Sequence, residues 1–168
     1  MFRRHLPVRR AGADRYRISF EPNERGVIRD FLGQLRSLLD ADVSSETATS
    51  GAEQADGRIR RLFPPAYLHD AEQQAEYHRF MHGELMTSRR ADLDLVEATI
   101  DATEVDEAGL MAWLRATNSV RLVLGTILDV QEDDVLGDVD ENDPRLQGLL
   151  VYDFLGWVVG IIVEAMSD

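Results

Sequence analysis

The chain is 168 residues long, 44% hydrophobic and 29% charged, which bounds it to one globular domain able to bury a core without staples. It has no cysteine, which excludes a disulfide framework, a thiolate metal site and a thiol redox switch within this chain. Its net charge of −13 is unevenly divided: residues 1–20 carry six arginines against one acid, Asp14, a local balance of +5 that leaves −18 on the rest. A basic patch on an acidic body suits a binding protein more than a catalyst, because opposite fields steer different partners to different faces.

In chain order, residues 2–9 and 15–20 read as a β-hairpin. Tyr16, Ile18 and Phe20 alternate with Arg15, Arg17 and Ser19, the period of a half-buried strand, and residues 11–14 supply the turn. Pro7 suits the first arm to an edge. Glu21-Pro22 opens a helix with proline in its first turn, and Val27, Ile28, Phe31, Leu32, Leu35, Leu38 and Leu39 fall on one face, which predicts a helix to about Asp40. Residues 40–57 hold five acids, no base and one large apolar residue, Val43, and are expected to form a mobile loop.

Pro64 and Pro65 then interrupt any helix, and Asp70 is placed to cap the next one, over 71–82. Gly83 is a candidate break, after which a helical pattern continues to about Asp101. Residues 103–105 are a candidate third strand, and Asp106 a candidate cap for a helix carrying Leu110, Trp113, Leu114, Val120, Leu124, Ile127 and Leu128. Residues 129–143 contain eight acids and no base, which predicts a second acidic loop. Asp143-Pro144 begins a last helix that is apolar over a wide arc. Such a helix is normally the buried centre of a bundle; the alternative is that it also packs against a second copy, as a homodimer. The longest apolar run, 149–163, is interrupted by Asp153 and falls short of the ~20 residues that span a bilayer. With no apolar leader at the N-terminus, a cytoplasmic location and no membrane contact are expected. The fold class is therefore mainly α: one domain over 1–168, a bundle of about five helices with a small N-terminal β-hairpin.

No catalytic constellation emerges. The glycines are scattered and lysine is absent, so no nucleotide loop forms, and Ser and His placements match no nucleophile–base pattern. His78 and His82 share a helix face at metal-binding spacing, but Arg79 stands where the zincin motif has glutamate. Residues 138–149 begin like a calcium loop and fail at its glycine and its final glutamate. A helix–turn–helix drawn over 77–100 with Gly83 at the turn puts four acids on the reading helix, poor for a phosphate-lined groove. No enzyme activity, metal or cofactor is expected. The arginine hairpin (Arg3, Arg4, Arg9, Arg10, Arg15 and Arg17) is left as the candidate binding surface for an acidic partner or nucleic acid, weighed against a plain solvent face.

Trp113-Leu114, then Asn118, then Arg121-Leu122-x-Leu124-Gly125, resembles an actinobacterial conserved family known as domain of unknown function 2017. Three further stretches carry the resemblance: the opening strand into Phe20-Glu21-Pro22, Arg61-Leu62-Phe63-Pro64 with Tyr67, and Tyr152-Asp153-Phe154-Leu155. The resemblance implies a transcription regulator of the oxidative-stress response that acts with a sigma factor. It implies a protein partner, with direct DNA binding as the alternative. Trp113, Asn118, Arg121, Gly125 and Tyr152 are expected to be structural: Trp113 in the core, Asn118 and Arg121 bridging helices or holding the loop at 129–143 by hydrogen bonds. Lacking cysteine, the chain departs from any disulfide-based sensor, so a response to oxidants would have to arise in its partner or in methionine oxidation.

Overall fold

The computed structural model describes residues 6–48, 57–63, 66–131 and 139–168, leaving aside the side chains of residues 43–48 and 60. Three short strands form one antiparallel sheet: β1 (Val8–Arg10), β2 (Arg15–Ile18) and β3 (Glu104–Asp106), with β2 in the middle. Four helices follow among the described residues: α1 (Pro22–Ala48), α2 (Ala71–Thr99), α3 (Glu107–Ile127) and α4 (Leu146–Ser167), with a 3-10 turn at Arg60–Leu62. Mainly helical architecture with an N-terminal hairpin matches the expectation; the helix count is four rather than about five.

The hairpin obeys its alternation. Tyr16 and Ile18 point inward at 2% and 1% exposure, while Arg15 and Arg17 point out. Residues 2–5 of the expected first arm lie outside the described residues; among the described ones the strand begins at Val8, because Pro7 has no N–H for the ladder and contributes only its carbonyl, which accepts from the Ser19 amide at 2.8 Å. The third strand pairs to β2 with Tyr16 opposite Val105 and Arg17 opposite Glu104.

α1 does not stop at Asp40. Its start is set as expected: the Glu21 amide donates to the Glu24 carboxylate at 2.7 Å, half of a capping box, with Pro22 in the first turn. Its last turns run through 40–48 because their acids are held by α2. Arg90 donates to Asp40 at 2.6 Å, and Asp42, nearly inaccessible, lies 3.1 Å from His82 Nε2. The part of the expected 40–57 loop from 49 to 56 lies outside the described residues, as do 132–138 of the second loop; Ile59 and Leu62, just beyond the first, are already core.

α2 is one continuous helix, which removes both the break at Gly83 and the helix–turn–helix. Asp70 caps it, accepting from the Glu72 and Gln73 amides at 3.1 and 3.0 Å. The ~1 kcal/mol that glycine costs in a helix interior is a weak breaker against 29 residues of packing and propensity. Asp106 caps α3 through the Gly109 amide at 2.7 Å. α3 ends with Asp129 at φ 52°, where the Asp129 and Val130 amides return to the Thr126 and Gly125 carbonyls at 3.2 and 2.9 Å, a Schellman arrangement. α4 begins at Leu146, later than the Asp143-Pro144 signal, because Asp143 caps a preceding turn by accepting from the Arg145 amide at 2.7 Å.

The centre of the bundle is α3, not α4. α1, α2, α4, the 3-10 turn and the sheet all pack on α3. Trp113 is fully enclosed there, stacked on Phe20 at 5.8 Å, with its indole N–H donating to Thr99 Oγ1 at 2.9 Å. Arg25 on α1 ties the corner together by donating to the carbonyls of Phe20, Ile18, Ile100 and Ala102. α4 packs on α3 and β1 with one face and leaves the other open: Leu150 is 51% and Trp157 43% exposed. By length and composition alone this helix is long and apolar enough to cross a membrane, which the interrupted run 149–163 does not suggest.

Candidate functional site

Three of the six hairpin arginines, Arg10, Arg15 and Arg17, are already engaged within the fold. The antiparallel pairing of β2 and β3 sets Glu104 between Arg15 and Arg17, at 3.6 and 3.0 Å. The Arg17 hydrogen bond, helped by the charges of Arg17 and Arg15, holds the Glu104 carboxyl below its ordinary range. Arg10 lies over the Tyr16 ring at 5.1 Å and donates to the carbonyls of Ala13 and Met166 at 2.9 and 3.4 Å. Arg9 is exposed with no ion pair among the described residues. Arg3 and Arg4 lie outside the described residues. The net +5 of the N-terminal segment is thus partly cancelled by an acid from a strand almost ninety positions later.

The five motif residues divide. Trp113 is core, as expected. Asn118 is half-buried and makes no side-chain hydrogen bond among the described residues, so the bridge expected of it is not made. Arg121, Gly125 and Tyr152 come together where α3 meets α4. The Arg121 guanidinium lies 4.5 Å over the Tyr152 ring. A Cβ on Gly125 would stand 3.0 Å from Tyr152 Cε2 and 3.4 Å from Arg61 Nη1, so glycine is what lets ring and second guanidinium approach the helix. A Cβ on Gly156 would stand 3.2 Å from Arg121 Nε. Arg121 makes no hydrogen bond or ion pair with the loop at 129–143 among the described residues; it stacks on Tyr152 of α4 instead. Gly156 and the role of Arg61 escaped the sequence reading. The Arg121–Gly125 spacing of one helical turn was visible, but the ring and the second guanidinium come from distant segments.

His78 and His82 are packed among other side chains. His82 Nε2 faces the Asp42 carboxylate, His78 stacks on the His82 ring at 4.5 Å, and Phe63 packs on it at 4.5 Å. Among the described residues no group of three or more metal-ligating side chains forms.

An open apolar face lies on the outer side of α4 beside α1. Leu150, Val151 and Phe154 meet Val27 across a shallow groove of about 340 Å³. Phe154 packs on Trp157 at 5.9 Å, one turn along. Asp153 stands between Leu150 and Trp157 on the same side of α4, and Asp30 one turn from Val27 on α1; both are exposed, with no ion pair among the described residues.

These features define a helical domain with an α3 hub, a partly neutralised hairpin and an open apolar face edged by acids. The chain belongs to the family described as Domain of unknown function (DUF2017), which it matches over residues 4–166. It is 26% identical over 151 residues, 73% of this chain and 70% of the relative, to a Mycobacterium leprae (strain TN) protein that carries the provisional name oxidative stress regulator AosR. No solved structure matches it.

Proposed function

We propose that this chain is a non-enzymatic regulatory protein that acts by binding a protein of the transcription machinery, a sigma factor first among the candidates. The name of its mycobacterial relative supports a regulatory role. The observation that carries the binding mode is the open face of α4: Leu150, Phe154 and Trp157 beside Val27, flanked by the exposed acids Asp30 and Asp153. An apolar strip edged by acids fits an amphipathic helix with a basic rim, which lays its apolar face into the groove. A large half-exposed aromatic at the centre of such a strip is the side chain on which binding energy concentrates. The hairpin supports the DNA-binding alternative less, since Glu104 and backbone carbonyls already engage Arg10, Arg15 and Arg17.

The test is calorimetric titration of the purified chain with purified sigma factors and core polymerase subunits from the same organism. One of them is expected to bind, and Trp157→Ala or Leu150→Asp to weaken it at least tenfold with the circular dichroism spectrum unchanged. No binding by any of these proteins, together with a gel shift that collapses as salt rises, would establish the DNA-binding alternative instead.

A further inference from the structure

Beyond partner docking, we propose that Arg61 and Arg121, converging at the seam between α3 and α4, form a binding site for a phosphate group. In a chain of net charge −13, arginines normally find acids. Arg15, Arg17, Arg29, Arg36, Arg90, Arg115 and Arg145 each pair with a carboxylate, and Arg25 is saturated by carbonyls. Among the described residues Arg9, Arg61, Arg79, Arg89 and Arg121 have neither an ion pair nor a hydrogen bond, and of these Arg61 and Arg121 border the same glycine-lined seam. Arg121 is half-buried, and its Nε is sealed from solvent with no acceptor. Arg61 Nη1 and the Tyr152 ring both border Gly125, and Arg121 lies over that ring, so two positive charges approach one seam, where a shared anion would offset their repulsion. The Tyr152 face offsets part of one charge and leaves the N–H donors of both unfilled.

Two polar side chains lie one turn before Arg121 on α3. Asn118 lies one turn before Arg121, on the same side of α3, with an amide that has no protein partner among the described residues. Thr117, one turn from Arg121 on the same helix, is 1% exposed and its hydroxyl has no partner either. Gly125 and Gly156 keep Cβ atoms out of the space that Arg61 and Arg121 occupy. Forked guanidiniums with an amide beside them match the tetrahedral oxygens of a phosphate, which accept several N–H bonds at once.

The experiment titrates the full chain with inorganic phosphate, pyrophosphate and acetate at constant ionic strength, by calorimetry and thermal shift. Phosphate or pyrophosphate should bind saturably and raise the melting temperature, with acetate at least tenfold weaker. Arg61→Gln, an exposed change that leaves the core intact, should weaken phosphate at least tenfold; Arg121→Gln should do the same, and Arg9→Gln should leave it unchanged. Pyrophosphate tighter than phosphate would identify the phosphate as part of a larger ligand, and the reverse a free ion; either supports the site. No saturable phosphate binding, equal binding of acetate, or equal losses in the Arg9 and Arg61 variants would overturn it.

Discussion

Arg15 and Arg17, on β2, share the Glu104 carboxylate; Arg121 lies over the Tyr152 ring of α4 and Arg61 reaches the neighbouring Gly125, and neither has an acid among the described residues. In sequence Arg15 and Arg17 have the marks of a binding surface, sitting in the most basic segment of an acidic chain, while Arg121 reads as a structural motif residue and Arg61 only as part of a stretch that carries the family resemblance. Folding reverses the ranking. Strand register carries an acid to the hairpin, while packing around Gly125 sets Arg61 and Arg121 at one seam without an acid among the described residues. Local charge density therefore says where arginines are, and long-range pairing decides which of them remain available.

The comparison can be strained at several points by urea denaturation of single variants. The largest effect is expected from an arginine that folding uses completely. Arg25→Ala leaves four carbonyls at the corner of the hairpin, α1 and α2 without their donor, and should cost about 3 kcal/mol. Arg115→Ala comes next, at about 2 kcal/mol, because it strips a two-pronged partner from Asp92, whose carboxylate is nearly buried, while nearby Arg89 keeps part of the field. Arg121→Met should cost under ~1 kcal/mol, the size of a cation–π contact, since no acid loses a partner. A loss as large as that of Arg25→Ala would mean that Arg121 is structural after all.

The smallest change is expected at Glu104, whose carboxylate stays in contact with solvent. Its carboxyl is held below the ordinary glutamate value of 4.5, chiefly by the Arg17 hydrogen bond. A depressed folded-state value contributes stability that is present above the unfolded value and lost as pH falls through the folded one. Glu104→Gln should thus leave stability near pH 7 slightly lower and flatten its decline below about pH 4.5. A steeper decline in the variant would show that the hairpin arginines do not depend on this acid.

Much of the fold was legible because it rests on local signals. Period-two alternation placed Tyr16 and Ile18 inside, and Asp70 and Asp106 announced their helices before any packing was known. What escaped depended on partners distant in sequence. The acids at 40–42 read as loop because Arg90 and His82, which hold them, sit on another helix. Gly83 read as a break because its modest local cost was set against nothing. α4 read as the centre because its apolar arc says how much surface is greasy, not how much is covered. The site suffers the same limit: Arg121 and Gly125 show one helical turn of spacing, and only the fold adds Tyr152 and Arg61.

The central position of β2 also imposes an order in time. At ~5–20 residues per second, a ribosome releases residues 104–106 roughly 4–18 s after residues 15–18. Until then the hairpin has an open edge, the kind of surface that recruits strands from neighbouring chains. During that interval Arg15 and Arg17 have no Glu104, and their uncompensated positive charges sit along the strand that lacks its neighbour. Two identical nascent hairpins meeting edge to edge repel. The arrival of β3 then removes the edge and the repulsion together, so the arginines that the finished molecule neutralises act as gatekeepers for the unfinished one.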